Sequence, residues 1–374
     1  MHSSISSSDA ATPGKTDGHR ETAYRRLPHL GRETLLAALA VFAFFVVAME
    51  VRLKARGIQP TAVDSEALWV RERERASWLG TRAVILIGAS RMQTGIDLDA
   101  LRARTGLEPV QLAIDASSFI PVLHGLAKDP AIRGTVIVSF SDADLDAPPN
   151  ADSNADRYQA SFERHSARAA EFAYLTIEGV LTDIVRDKLR SYADGARPLT
   201  SLLTRILPAS ITPQYVFILP DRSRLADYSH ADVPTFYYNR VIRELGENVV
   251  IQPGAEYRVV DAQLRQRIEA LAPKSDELYL QRAASVAADA ATIEERGGRV
   301  YFVVMPTSGL ITMMEDKWYP RETFWNRFVA TTHSRTLHFE DVPSLKGIPV
   351  PDGSHVDYRN RTALTAALLE ALDL

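Results

Sequence analysis

The chain has 374 residues, with 43 Lys and Arg against 47 Asp and Glu for a net charge of −4, and it contains no cysteine. That length supports one large domain or two ordinary ones. The missing cysteines exclude disulfides, thiolate metal sites and cysteine nucleophiles, and the near-balanced charge argues against a dedicated nucleic-acid binder.

Residues 1–32 are rich in Ser, Thr, Gly and Asp and read as a disordered tail on the cytoplasmic side. Thr34–Met49 follows as sixteen residues without a charge, interrupted by Glu50 and continued by Val51 and Leu53. A spanning helix needs about 20 apolar residues, and the flanking Arg32, Arg52 and Lys54 can snorkel to the headgroups to make up the length. A buried soluble helix and a signal peptide cut near Val46-Val47-Ala48 are the other readings. The all-round apolarity and the 33-residue lead-in favour an uncleaved signal anchor over 33–53. Four arginines before the span against three basic residues after it favour a cytoplasmic N-terminus.

Residues 54–80 read as a linker with a short charged helix whose Arg71–Arg75 run forms a solvated face. From 81 onward, strands are expected at Arg82–Gly88, Val110–Ile114, Thr135–Ser139, Arg299–Met305 and Thr336–Phe339. Helices are expected at Leu98–Thr105, Phe119–Lys128, Ser161–Tyr192, Pro198–Arg205, Asp276–Arg296, Trp318–Thr331 and Asn360–Leu372. This alternation predicts an α/β domain, 81–374, built on a parallel sheet. It is interrupted by a large, mostly helical insertion at about 150–260. Within that insertion Leu207–Asn248, broken by four prolines, reads as having little regular structure. Its aromatics Tyr215, Phe217, Tyr228, Phe236, Tyr237 and Tyr238 either pack or line a sugar-binding cleft.

Two motifs carry chemistry. Gly88-Ala89-Ser90-Arg91 follows the first strand, where a turn into a helix exposes a hydroxyl at the top of the sheet and aims backbone N–H groups at it. Asp352-Gly353-Ser354-His355 precedes the last helix, where an aspartate three residues before a histidine can hold one imidazole nitrogen and leave the other free as a base. Arg91 can clamp an anionic group or hold a carboxylate such as Asp115, and Ser308 sits at the end of a core strand. His124 and His333 are isolated. His338, Glu340 and Asp341 lack metal-ligand spacing, so no metal is expected. With no Walker motif and no G-x-G-x-x-G after a strand, no nucleotide cofactor is expected either.

Serine early and D-x-x-H late, on this sheet, resembles the SGNH/GDSL esterase and acyltransferase superfamily. The resemblance covers roughly 82–141 and 299–374 and implies a flavodoxin-like three-layer fold. It implies Ser90 as nucleophile, His355 as base and Asp352 as orienter. The backbone N–H groups of Ser90 and Ala116 would bind the oxyanion, with Ser117, Ser141 and Arg91 as further oxyanion or substrate contacts. The sequence departs from the family pattern in three places: Ala89 replaces an aspartate, Ala116 a glycine, and Val138–Asp142 has no asparagine, with Ser141 the nearest substitute.

An anchor followed by such a domain is similar to the alginate O-acetylation and teichoic acid D-alanyl transfer proteins. That likeness implies a single-pass protein of the bacterial inner membrane, with a periplasmic domain acting on a polysaccharide beside a membrane-bound O-acyltransferase. A catalytically weak domain that binds polymer or scaffolds a synthesis and export complex is the alternative. The Ser90–His355 separation discriminates between the two.

Overall fold

The computed structural model describes residues 31–146, 153–166, 185–211 and 213–374. The expected tail lies almost wholly outside these residues, as does much of the helix expected over 161–192. The chain divides into two units, Met1–Val47 and Ala48–Leu374. Arg32–Ala55 is one continuous helix of 24 residues, long and apolar enough to cross a membrane. At about 1.5 Å per residue it exceeds the roughly 30 Å of a bilayer's hydrocarbon core.

The larger unit is built on five parallel strands: β1 (Ala83–Ile87), β2 (Glu108–Gln111), β3 (Thr135–Phe140), β6 (Arg299–Val304) and β7 (Arg335–His338), in the order β2-β1-β3-β6-β7. A separate antiparallel hairpin pairs β4 (Val216–Ile218) with β5 (Arg224–Ala226). All five residues of β1 are buried, as a strand covered on both faces requires. Ala83, Ile85 and Ile87 point into a core with Trp69, Leu123, Tyr279 and Phe328. Val84 and Leu86 point the other way, to Met92, Leu101, Leu364 and Leu368. Helices Glu66–Leu79, Ile120–Lys128, Glu277–Glu294 and Trp325–Thr331 therefore cover one face, and Leu98–Thr105 and Arg361–Ala371 the other. The strand order reverses between β1 and β3, which opens a crevice at their carboxyl ends.

Several expectations need correction. The stretch 54–80 is no exposed linker: Ile58, Ala62 and Trp69 are buried, and Glu66–Leu79 packs on the sheet. Within the charged run Arg73 is fully buried, its charge neutralised by Asp129 (3.0 Å), one Nη donating to the Gly125 carbonyl and Phe162 stacked against its guanidinium.

Residues 207–248 hold the β4–β5 hairpin and a helix, Val233–Glu244. Pro234 does not break that helix, because proline is tolerated in a first turn. The helix Tyr257–Glu269, outside any sequence assignment, packs with it through Leu264 and Ile268 against Leu310, Ile311 and Met314. The helix expected over Trp318–Thr331 is shorter, Trp325–Thr331; Trp318 instead ends a separate helix, Leu310–Trp318, stopped ahead of Pro320 by that proline's missing N–H and fixed φ.

Candidate active site

The chain turns sharply after β1. Gly88 has φ +137°, and a Cβ there would lie 2.6 Å from Ser139 Cβ on β3, so only glycine fits. Ser90 then opens the helix Ser90–Gly95, in which the N–H groups of Met92 and Gln93 donate to the carbonyl of the N-cap residue Ala89 while those of Ser90 and Arg91 precede the first helical bond. At the other end of the chain, Gly353 (φ +79°) makes the Asp352–His355 turn, and a side chain there would strike Ile311 and Tyr237. Ser308 braces this turn, donating its N–H to the Gly353 carbonyl (3.0 Å) and its hydroxyl to that of Val350 (3.1 Å). The structure thus gives Ser308 a bracing role.

These two turns bring three expected residues together. Ser90 Oγ lies 2.7 Å from His355 Nε2, and His355 Nδ1 lies 2.9 Å from Asp352 Oδ2. Asp352 Oδ1 accepts from the backbone N–H groups of Ser354 (2.9 Å) and His355 (2.7 Å). Arg240 Nη2 lies 3.0 Å from Asp352 Oδ2, and the Tyr228 hydroxyl donates to the same carboxylate. Arg240 also stands 3.0 Å from His355 Nδ1. An arginine only donates, so with the Nδ1 proton directed to Asp352 this contact is an electrostatic one.

The electrostatics suit a neutral base. Asp352 is fully buried, which alone would push its carboxyl up. Hydrogen bonding and charge from His355, then Arg240 and Tyr228, outweigh burial and hold it well below the usual carboxylate range. Burial pushes His355 below the ordinary imidazole value, aided by Arg240 and Arg91 and opposed by Asp352. At neutral pH the site therefore holds an ionised aspartate and an uncharged imidazole facing a hydroxyl.

Ser90 opens into a cleft of about 880 Å³ that Ala116, Ser117, Ser141, Arg91 and Ser354 also line. Ala116 has φ +52°, a left-handed conformation that glycine adopts freely and alanine only at a cost of about 1–2 kcal/mol. Ser117 is buried, with its hydroxyl on the Asp115 carbonyl at 3.3 Å. Arg91 does not hold Asp115, which pairs with Arg224. Its guanidinium instead pairs with Glu315 and donates to Ser354 Oγ at 2.9 Å.

None of the six insertion aromatics lines the cleft. Tyr215, Tyr228 and Phe236 pack together, the Tyr237 hydroxyl accepts from the Leu310 N–H (2.5 Å), and Tyr238 stacks on Tyr257. Trp318, Tyr319 and Trp325 supply the aromatic walls. Of the histidines, His124 reaches Asp289 at 3.1 Å and His333 is exposed. His338 is half-buried, its pKa depressed by burial to about 4, and Asp341 is taken by Arg321. Among the described residues no group of three or more His, Asp or Glu is placed to hold a metal ion.

Three cleft or triad groups escaped sequence reasoning, Arg240, Asp142 and Asp144, and Tyr228, read there only as packing or a sugar contact, proves to bond Asp352. Burial raises the carboxyls of Asp142 and Asp144 to about 7. Asp142 accepts from the Tyr279 hydroxyl, and Asp144 from the Phe119 N–H and the Ser118 hydroxyl. The one available signal was the S-D-x-D spacing of Ser141, Asp142 and Asp144 straight after a core strand on the side where crevices form. No protein-family model and no curated protein matches this chain.

Proposed function

We propose that this chain is a membrane-anchored, extracytoplasmic serine esterase or O-acyltransferase of the SGNH type, acting on a cell-surface or exported polysaccharide. The observation that carries the reading is the unbroken Ser90–His355–Asp352 chain of hydrogen bonds opening into a cleft. His355 Nε2 takes the Ser90 proton as Oγ attacks the carbonyl carbon of an acyl donor. The tetrahedral oxyanion is met by the backbone N–H groups of Ser90 and Ala116. Collapse expels the donor's alcohol, which receives the proton from His355 and leaves an acyl-Ser90. A sugar hydroxyl or water then repeats the steps in reverse, and the acyl group departs to it.

The strand order, 2-1-3-4-5 when the sheet's strands alone are counted, supports a flavodoxin-like fold. The apolar helix supports a signal anchor in a bacterial inner membrane with the domain in the periplasm, where a membrane-bound O-acyltransferase could supply the acyl donor. A separation of 2.7 Å between Ser90 and His355 favours catalysis over a scaffold alone.

Ser90→Ala tests the reading. The expected result is loss of fluorophosphonate labelling and a fall of roughly 10⁴- to 10⁶-fold in kcat with an activated acetyl ester, at an unchanged melting temperature. Full activity in that variant would overturn it.

A further inference from the structure

Outside the cleft, the most unusual surface lies beside the point where the chain leaves the apolar run. Met49, Leu53 and Ile58 pack on Ala193, Ile206 and Ile211. Polar bonds fix the same junction. The Glu50 carboxylate, the first charge after the apolar run, accepts from the backbone N–H groups of Arg190 (2.8 Å) and Ser191 (2.9 Å). The Arg56 guanidinium donates to the carbonyls of Pro208 (2.9 Å) and Ile206 (3.3 Å). Segment 190–211 is thereby tied to residues 49–58.

That segment contains a helical stretch, Pro198–Ser201 continued through Leu202–Ile206. Ser201 faces inward and is buried on the Ser191 carbonyl. Leu199, Leu203 and Leu207, spaced by four, face outward and are 66%, 56% and 64% exposed. Exposed cations flank the joined segments in sequence: Arg52 and Lys54 near the end of the first helix, Arg186 and Lys188 just ahead of residue 190, and Arg197 directly before the helical stretch. A stripe of leucines at helical spacing has no reason to stand in water, and flanking cations mark it for an anionic, apolar-cored surface.

From this geometry we propose that residues 198–207 form an interfacial helix. It lies in the headgroup layer of the leaflet from which the first helix emerges, its leucines in the acyl boundary and its flanking cations on lipid phosphates. The inference rests on Arg32–Ala55 crossing the bilayer. The occupant is lipid rather than a second copy because the stripe is continuous, through Glu50 and Arg56, with the residues that follow the membrane-spanning run.

The cysteine-free sequence makes the test direct. Single cysteines are placed in the full chain at Leu203→Cys, Phe42→Cys and Glu295→Cys, each labelled with a nitroxide and reconstituted in vesicles of phosphatidylethanolamine and phosphatidylglycerol. Phe42 reports the span and Glu295 an exposed site on the domain. The expected result is a label at 203 several-fold less accessible to a water-soluble nickel chelate than the label at 295, and more accessible to oxygen. Equal chelate accessibility at 203 and 295, with 42 shielded, overturns the proposal and leaves the anchor standing. A water-accessible label at 42 overturns both. Shielding at 203 accompanied by dipolar coupling between labels identifies a second copy as the occupant and also overturns it.

Discussion

Arg240 joins the insertion to the reacting groups. Its cation stabilises ionised Asp352 and disfavours the imidazolium form of His355, the two charge states that proton abstraction from Ser90 requires. Removing that charge makes His355 easier to protonate. Arg240→Met should therefore move the acid limb of the kcat/KM–pH profile upward, while Arg240→Lys restores most of it. An unmoved limb in Arg240→Met would limit this residue to packing.

Asp142 gives the second residue-scale expectation. Its carboxyl titrates near 3.8 in the unfolded chain and at about 7 when folded. The folded state thus holds its proton longer, so the stability tied to the neutral form is complete below about pH 4 and is lost as pH rises through 7. Urea denaturation of Asp142→Asn should show a weaker decline across that window and greater stability than the parent at pH 8. Neither Arg240 nor Asp142 was legible as functional in the sequence. Arg240 meets His355 across 115 positions, and nothing local distinguishes it from any other arginine on an amphipathic helix. Ser90, Asp352 and His355 were legible because tight turns with small residues mark them locally.

Among the elements, the strands of the sheet were readable because both of their faces are covered, which forces continuous β-branched runs such as Ala83–Ile87. The insertion was harder, since its order is held by pairings between distant polar groups. Arg222 is the clearest case. Fully buried between β4 and β5, it pairs with Asp64 at 2.6 Å and donates to the carbonyls of Gln111 (2.7 Å) and Ala113 (3.0 Å), fastening the hairpin across the end of β2. Arg222→Met would leave Asp64 without its cation and two carbonyls without donors. The expected cost is about 3–5 kcal/mol in chemical denaturation, as for breaking one side of a buried pair. A loss under 1 kcal/mol would show that the hairpin is held by its apolar contacts alone.

For the molecule as a whole, the proposed function has the first helix, long and apolar enough to cross a membrane, set which side the cleft faces. Arg20, Arg25, Arg26 and Arg32 precede the run; Arg52, Lys54 and Arg56 follow it. Under the proposed orientation, alkaline phosphatase fused after Leu374 should be active in intact bacteria, and a fluorescent protein that matures only in the cytoplasm should stay dark at the same position. The reverse pattern would place the cleft in the cytoplasm and remove exported polymer as its substrate.

The 265 positions between Ser90 and His355 also bear on timing. A ribosome finishes Ser90 long before it reaches the base, and the sheet strand β6 and the Asp352 turn arrive in between. Until nearly the whole chain has been made and folded, Ser90 has no imidazole beside it and is an ordinary alcohol. Under the proposed function, reactivity toward acyl donors is thus withheld from every partly synthesised chain. Acquisition of fluorophosphonate reactivity can accordingly serve as a clock for the completion of folding.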